Sequence, residues 1–150
     1  MDEFETSGNA DVQMYTLPGC MSCFMVRRLL RRRGVAFEEF RGEGVADFRA
    51  KLRRLTGAAT VPQVLIHGEP VGGADSLFAL DRTGVLLPKV RGDSFPVAIT
   101  RRRRSLFKRG YEVRLVDADG RLLAEAEAVS EGEAESIAAG LAGEFRTGAS

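Results

Sequence analysis

Pro18-Gly19-Cys20-Met21-Ser22-Cys23 holds both cysteines of the chain, three positions apart. Before it, Val12-Gln13-Met14-Tyr15-Thr16 is β-branched and aromatic enough to read as a central strand, which Pro18 and Gly19 then break. After it, residues 21–33 place Val26, Leu29 and Leu30 on one helical stripe and Arg27, Arg28, Arg31 and Arg32 on the wet face. Gly34 closes that helix. The pattern therefore predicts Cys20 at the mouth of a helix N-terminus and Cys23 inside its first turn. Unpaired N–H groups and the positive end of the helix dipole both favour a thiolate there. Cys20 is expected to titrate below the roughly 8.5 of a free cysteine. Cys23, one turn deeper, is placed to attack a mixed disulfide formed on Cys20.

Other chemistries of a Cys-x-x-Cys pair fit less well. A structural zinc site needs four ligands, and this chain offers the two cysteines and one histidine, His67. No metal is expected. A purely structural disulfide would close a very short loop and add little stability. A redox pair in a strand-then-helix context is the better reading.

Composition bounds the rest. The chain has 150 residues, 44% hydrophobic, with a net charge of +1, enough for one good core or one core with a satellite. Neither sign of charge dominates, so bulk electrostatics names no partner. No stretch approaches the ~20 apolar residues of a membrane span. Residues 1–11 are acidic and polar and read as a mobile tail, not a secretory signal. Two cysteines at redox spacing point to a reducing, cytoplasmic setting.

Further along, residues 35–40 read as a second strand and Arg41-Gly42-Glu43-Gly44 as a loop. Val45, Phe48, Leu52 and Leu55 stripe a second helix that stops at Gly57. Residues 60–66 turn into a strongly apolar strand, and Gly68-Glu69-Pro70 returns it as a hairpin through Val71. Gly72-Gly73 leads to a third helix with Asp75 as N-cap, Leu77, Phe78 and Leu80 inside, and Gly84 at its end. The order is β-α-β-α-β-β-α.

Taken together these pieces resemble a glutaredoxin, a member of the thioredoxin-fold superfamily, over residues 12 to about 90. The likeness rests on Tyr15-Thr16 before the Cys-x-x-Cys, Gly34-Val35-x-Phe37, Thr60-Val61-Pro62-Gln63-Val64, Gly72-Gly73-Ala74-Asp75 and Leu77-x-x-Leu80, in order and at family spacing. It implies an α/β fold, a four-stranded mixed sheet flanked by helices. A cis Val61-Pro62 bond is also implied, leaving the Val61 backbone free to pair with a bound thiol peptide. Gly73, Ala74 and Asp75, with Thr60, Val61 and Pro62, are the implied binding residues. The N–H groups at the helix start would hold the glutamyl carboxylate of glutathione. No tightly held cofactor is implied.

Two departures bear on the co-substrate. The lysine that glutaredoxins typically carry three residues before the first cysteine is Leu17 here, and the usual Pro-Tyr is Met21-Ser22. A charged hydrogen bond is worth roughly 1.5–3 kcal/mol, so losing that lysine alone corresponds to about tenfold or more in affinity. Arg27 or Arg54 are candidates to compensate. The reductant is expected to be glutathione, another low-molecular-weight thiol, or a thioredoxin reductase; the substrate is a disulfide-containing protein or a small mixed disulfide. The alternative is a binding module in which Cys20 of two subunits, with two small thiols, ligates a [2Fe–2S] cluster.

Beyond residue 90 the resemblance stops. Residues 89–96 read as a linker. Phe95-Pro96-Val97-Ala98-Ile99 is a candidate strand, Arg101 to Arg104 with Lys108 and Arg109 a dense basic run, and Tyr111 to Val116 an alternating strand. Asp117-Ala118-Asp119-Gly120 reads as a hairpin turn, and the return strand aligns Leu122, Ala124, Ala126 and Ala128. Ser130 and Glu133 form a capping box before a helix striped by Ala134, Ile137, Ala138, Leu141 and Phe145. Residues 91–150 are thus expected to form a small β-β-β-α accessory module. Acidic residues offset its basic run, which reads as a wet connection between strands, so no nucleic acid partner is expected. A role in docking a protein substrate or in dimerisation fits better. It contains no cysteine or histidine and so no catalytic constellation.

Overall fold

The computed structural model describes residues 10–105, 107 and 109–147, with side chains to residue 145. Most of the tail expected over residues 1–11, and Lys108 of the basic run, lie outside the described residues. Strand β1 (Val12–Thr16) is the centre of a four-stranded sheet ordered β2-β1-β3-β4. It runs parallel to β2 (Glu38–Arg41) and antiparallel to β3 (Gln63–Ile66), which pairs antiparallel with β4 (Glu69–Gly72). The two-residue period of β1 sends its side chains into two separate cores. Val12 and Met14 join Val26, Leu29 and Leu30 of α1 (Met21–Arg32) and Leu77 and Leu80 of α3 (Ala74–Thr83). Tyr15 points the other way, onto Phe48 and Leu52 of α2 (Phe48–Thr56). The β-α-β-α-β-β-α order and the mixed sheet agree with the sequence.

Several boundaries differ for identifiable reasons. β2 begins at Glu38, not residue 35, because the Val35 N–H donates to Leu30 O at 2.9 Å and still belongs to the helix end. Val45 packs beside Phe48 but precedes α2, whose N-cap is Asp47. The hairpin turn is His67-Gly68, both at positive φ (51° and 79°) as a two-residue turn of primed type requires. Glu69 and Pro70 lie within β4, an edge strand where a proline is tolerated. The N-cap of α3 is Gly73 in extended conformation. Asp75 is instead the second helical residue, where an acid suits the dipole. The Val61-Pro62 bond is cis, as implied; Phe95-Pro96 is cis as well.

Part of the expected linker is helix α4 (Leu86–Arg91). Pro88 sits at its third position, where its missing N–H removes no intrahelical bond. The C-terminal strands β5 (Val97–Arg104), β6 (Arg109–Val116) and β7 (Leu122–Ala128) form a separate antiparallel sheet in that order, followed by α5 (Glu131–Thr147). Arg101 to Arg104 are therefore the second half of a strand paired to β6, not a connection. Ala134, Ile137, Ala138 and Leu141 of α5 pack with Val113 and Ala128, whereas Phe145 is 40% exposed. The capping pair holds with one difference: the Glu133 N–H donates to Ser130 Oγ, but the Glu133 carboxylate accepts from Val129 N, one residue earlier than in a capping box.

This second sheet is not an isolated lobe. Val116 is 2% exposed and belongs to the core shared with α1 and α3, and Phe95, Val97 and Ile99 pack against it. Lys89 Nζ donates to Ala118 O at 2.6 Å, fixing α4 to the β6–β7 turn.

Candidate active site

β1 ends at Thr16, and the Leu17-Pro18-Gly19 turn delivers Cys20 to the first position before α1. Cys20 is the helix N-cap, in extended conformation, and its Sγ accepts the Cys23 N–H at 3.1 Å. A sulfur thus occupies the place that a serine or aspartate oxygen usually fills. The first turn of α1 carries no acidic residue to oppose a negative charge on that sulfur. Cys20 is half-buried and Cys23 is 1% exposed. The two form a disulfide, with Cα atoms 5.2 Å apart, so the structure is of the oxidised pair. This is the placement expected of both cysteines.

The other expected residues lie together on the β3 side of β1. Cys20 Sγ is 3.9 Å from Val61 O. Thr60, Val61 and Pro62 join Gly73, Ala74, Asp75 and Ser22 around a hollow of about 340 Å³. Gln63, quoted within the sequence motif without a role, holds this side in place. Its side chain is buried, and Nε2 donates to Thr60 Oγ1 at 3.2 Å. The backbones are close enough that a Cβ on Gly73 would lie 3.2 Å from Pro62 O.

A second, larger hollow of about 530 Å³ opens on the β2 side, with Cys20 in its wall beside Leu17, Met21, Phe24, Arg27, Glu39 and Arg41. No sequence motif announced it, because Glu39 and Arg41 in its wall come from a strand far from the cysteines. Glu39 accepts both Arg27 Nε (2.7 Å) and Nη2 (2.9 Å), and Thr16 Oγ1 at 3.0 Å. The Arg27 hydrogen bonds hold the Glu39 carboxyl below the usual carboxylate range, against the opposing effect of burial. Arg27 is therefore committed to Glu39 and is not free to replace the missing lysine. Arg54 is exposed on α2. Beneath the site Tyr15 stacks on Phe40 at 5.0 Å, and burial pushes its hydroxyl pKa up.

Among the described residues no three His, Cys, Asp or Glu side chains gather as metal ligands, and no helix is long and apolar enough to cross a membrane.

Comparison with known proteins gives one family and one fold. The glutaredoxin family model matches residues 12–71, and no family covers the C-terminal part. A glutaredoxin of Pseudomonas aeruginosa is 44% identical over 75 residues, which is 50% of this chain and 89% of that protein. Glutaredoxin 3 of Escherichia coli is 38% identical over 82 residues, 55% of this chain and 99% of the relative. Among solved structures, a buckwheat glutaredoxin–glutathione complex superposes with a TM-score of 0.53 at 28% identity, over 56% of this chain and 79% of that one.

Proposed function

The chain belongs to the glutaredoxin family and is a thiol–disulfide oxidoreductase, and from that premise we propose how its residues divide the work. Cys20 is the attacking thiolate. Its Sγ attacks one sulfur of a substrate disulfide, forming a mixed disulfide, and the other substrate sulfur leaves as a thiolate. Cys23 then attacks Cys20 Sγ. The substrate's second sulfur leaves reduced, and the enzyme is left with the Cys20–Cys23 disulfide. Two equivalents of a small thiol, or a thioredoxin reductase, restore the dithiol. In a monothiol cycle a small thiol takes the place of Cys23.

The observation that carries this reading is the N-cap position of Cys20. Its Sγ accepts an N–H at the helix start and sits 3.9 Å from Val61 O, while Cys23 lies behind it and out of solvent. Thr60, Val61 and Pro62, with Gly73, Ala74 and Asp75, hold the thiol substrate on the β3 side. The glutathione complex formed by the buckwheat relative supports glutathione as co-substrate. Leu17 and Ser22 weaken that affinity relative to family members bearing lysine and tyrosine there. We assign the chemistry to residues 12–90 and an accessory role to residues 91–150, in a cytoplasmic protein.

The test couples turnover of a small mixed disulfide either to glutathione with its reductase or to thioredoxin reductase, for wild type, Cys20→Ser and Cys23→Ser. Glutathione-dependent turnover lost in Cys20→Ser and retained in Cys23→Ser is the expected outcome. Turnover that survives Cys20→Ser would overturn the assignment.

A further inference from the structure

We propose that the hollow on the β2 side of Cys20 receives the flank of a protein substrate and selects an apolar side chain accompanied by a carboxylate. The inference rests on the reading of Cys20 as the attacking sulfur, and adds the class of substrate that this sulfur prefers.

A peptide bonded through its cysteine to Cys20 has two flanks. One is accounted for by the Val61 backbone and the hollow on the β3 side. The other leaves across the β2 side, where Leu17, Met21 and Phe24 form an apolar floor. Met21 is 71% exposed and Phe24 51% exposed, adjacent to the disulfide on the same face of the helix start. A contiguous group of apolar side chains left open beside a reactive group marks an interaction surface. A compact tripeptide thiol engaged on the β3 side reaches Leu17 at most and would leave Met21 and Phe24 uncovered, whereas a protein segment would cover them.

The charge of the hollow decides the second half of the inference. Among the described residues Glu39 is the single carboxylate in its wall, and Arg27 neutralises it through two hydrogen bonds. Arg41 reaches the same carboxylate only through Nε at 3.3 Å and keeps 68% of its side chain in solvent. One positive charge is left over, on a planar fork suited to a carboxylate. Since Glu39 is held below the ordinary carboxylate range, this arrangement persists through the neutral range. An acidic residue near the substrate cysteine would be drawn in and a lysine repelled, which is discrimination by both attraction and its opposite.

Single-turnover kinetics tests it without any reductant. Two peptides, Glu-Leu-Cys-Leu-Glu and Lys-Leu-Cys-Leu-Lys, are prepared as mixed disulfides with thionitrobenzoate and mixed with the reduced full-length protein. Cys20 thiolate bonds to the peptide sulfur and releases the coloured thionitrobenzoate anion. Cys23 then displaces the peptide thiolate, leaving the enzyme disulfide. The readout is the ratio of second-order rate constants, acidic peptide over lysine peptide, so a general loss of reactivity cancels. The ratio is expected to exceed one in the wild type, and to fall by about fivefold or more in Arg41→Glu, with Arg41→Gln between. Phe24→Ser is expected to slow both peptides together. An unchanged ratio in Arg41→Glu overturns the proposal. So does an equal fall in Arg32→Glu, which would trace the preference to the diffuse field of α1. Failure of the wild type to release thionitrobenzoate from either peptide would refute the attacking role of Cys20, and this inference with it.

Discussion

Replacing Glu39 with glutamine keeps the shape of the side chain and removes the charge on which four hydrogen bonds converge. Glu39 accepts from Arg27 at 2.7 and 2.9 Å, from Thr16 at 3.0 Å and from Arg41 at 3.3 Å. Hydrogen bonds to a charged group contribute about 1.5–3 kcal/mol net. Arg27 and Glu39 are 20% and 16% exposed, so solvent screens the pair only in part. The lower half of that range, about 1.5–2 kcal/mol, is the expected loss for Glu39→Gln near neutral pH. For a chain of this size that is a fall in Tm of roughly 3–8 °C. The pH dependence has a definite sign. The folded pKa of Glu39 is depressed, so its contribution is complete above the unfolded value of about 4.3 and is lost as the pH falls through the folded one. Urea unfolding of both proteins from about pH 7 down to about pH 3 should show the gap narrowing in acid. A gap below ~0.5 kcal/mol near neutrality would show that the network contributes no more than an ordinary exposed pair. A gap that stays constant or widens in acid would refute the linkage.

Three further outcomes follow from the packing. Leu30→Ala empties a fully buried position between α1 and the sheet and is expected to cost about 2–5 kcal/mol by urea unfolding; under 1 would mean the core collapses around it. Val116→Asp puts an unpaired carboxylate into the core shared by the two sheets and should cost about 3 kcal/mol or more, while Val129→Asp, at an 85% exposed position, should stay within about 0.5; equal effects would show that the second sheet is not seated on the first part. Gly73→Val sets a Cβ 3.2 Å from Pro62 O and fills the β3-side hollow, so the KM for glutathione should rise with kcat less affected, and an unchanged KM would place the small thiol elsewhere.

How much of this was legible in the sequence depends on whether the signal was local. β1, α1 and the cysteine geometry were readable because strand composition, Pro18-Gly19, the Val26-Leu29-Leu30 stripe and Gly34 all lie within one short window. The β3-side hollow was legible only through the family resemblance that Thr60-Val61-Pro62 and Gly72-Gly73-Ala74-Asp75 carry. α4 was hidden because Pro88 looks like a breaker until its place in the first turn is known. The strand formed by Arg101 to Arg104 was hidden because four arginines carry no alternation; only pairing with β6 makes them a strand. The Glu39 network was out of reach altogether. Glu39 meets Arg27 only because β2 lies beside β1, and nothing near either residue in the chain announces that contact.

The central claim is that Cys20 is the accessible, activated sulfur and Cys23 the shielded one. Alkylation of the reduced protein with iodoacetamide across a pH series, with each cysteine followed by mass spectrometry, addresses it directly. Cys20 should be modified first, with a midpoint below about 8.5 set by the Cys23 N–H and the helix start, while Cys23 lags far behind. Modification of Cys23 at the same rate, or a Cys20 midpoint at or above that of a free thiol, would contradict the account.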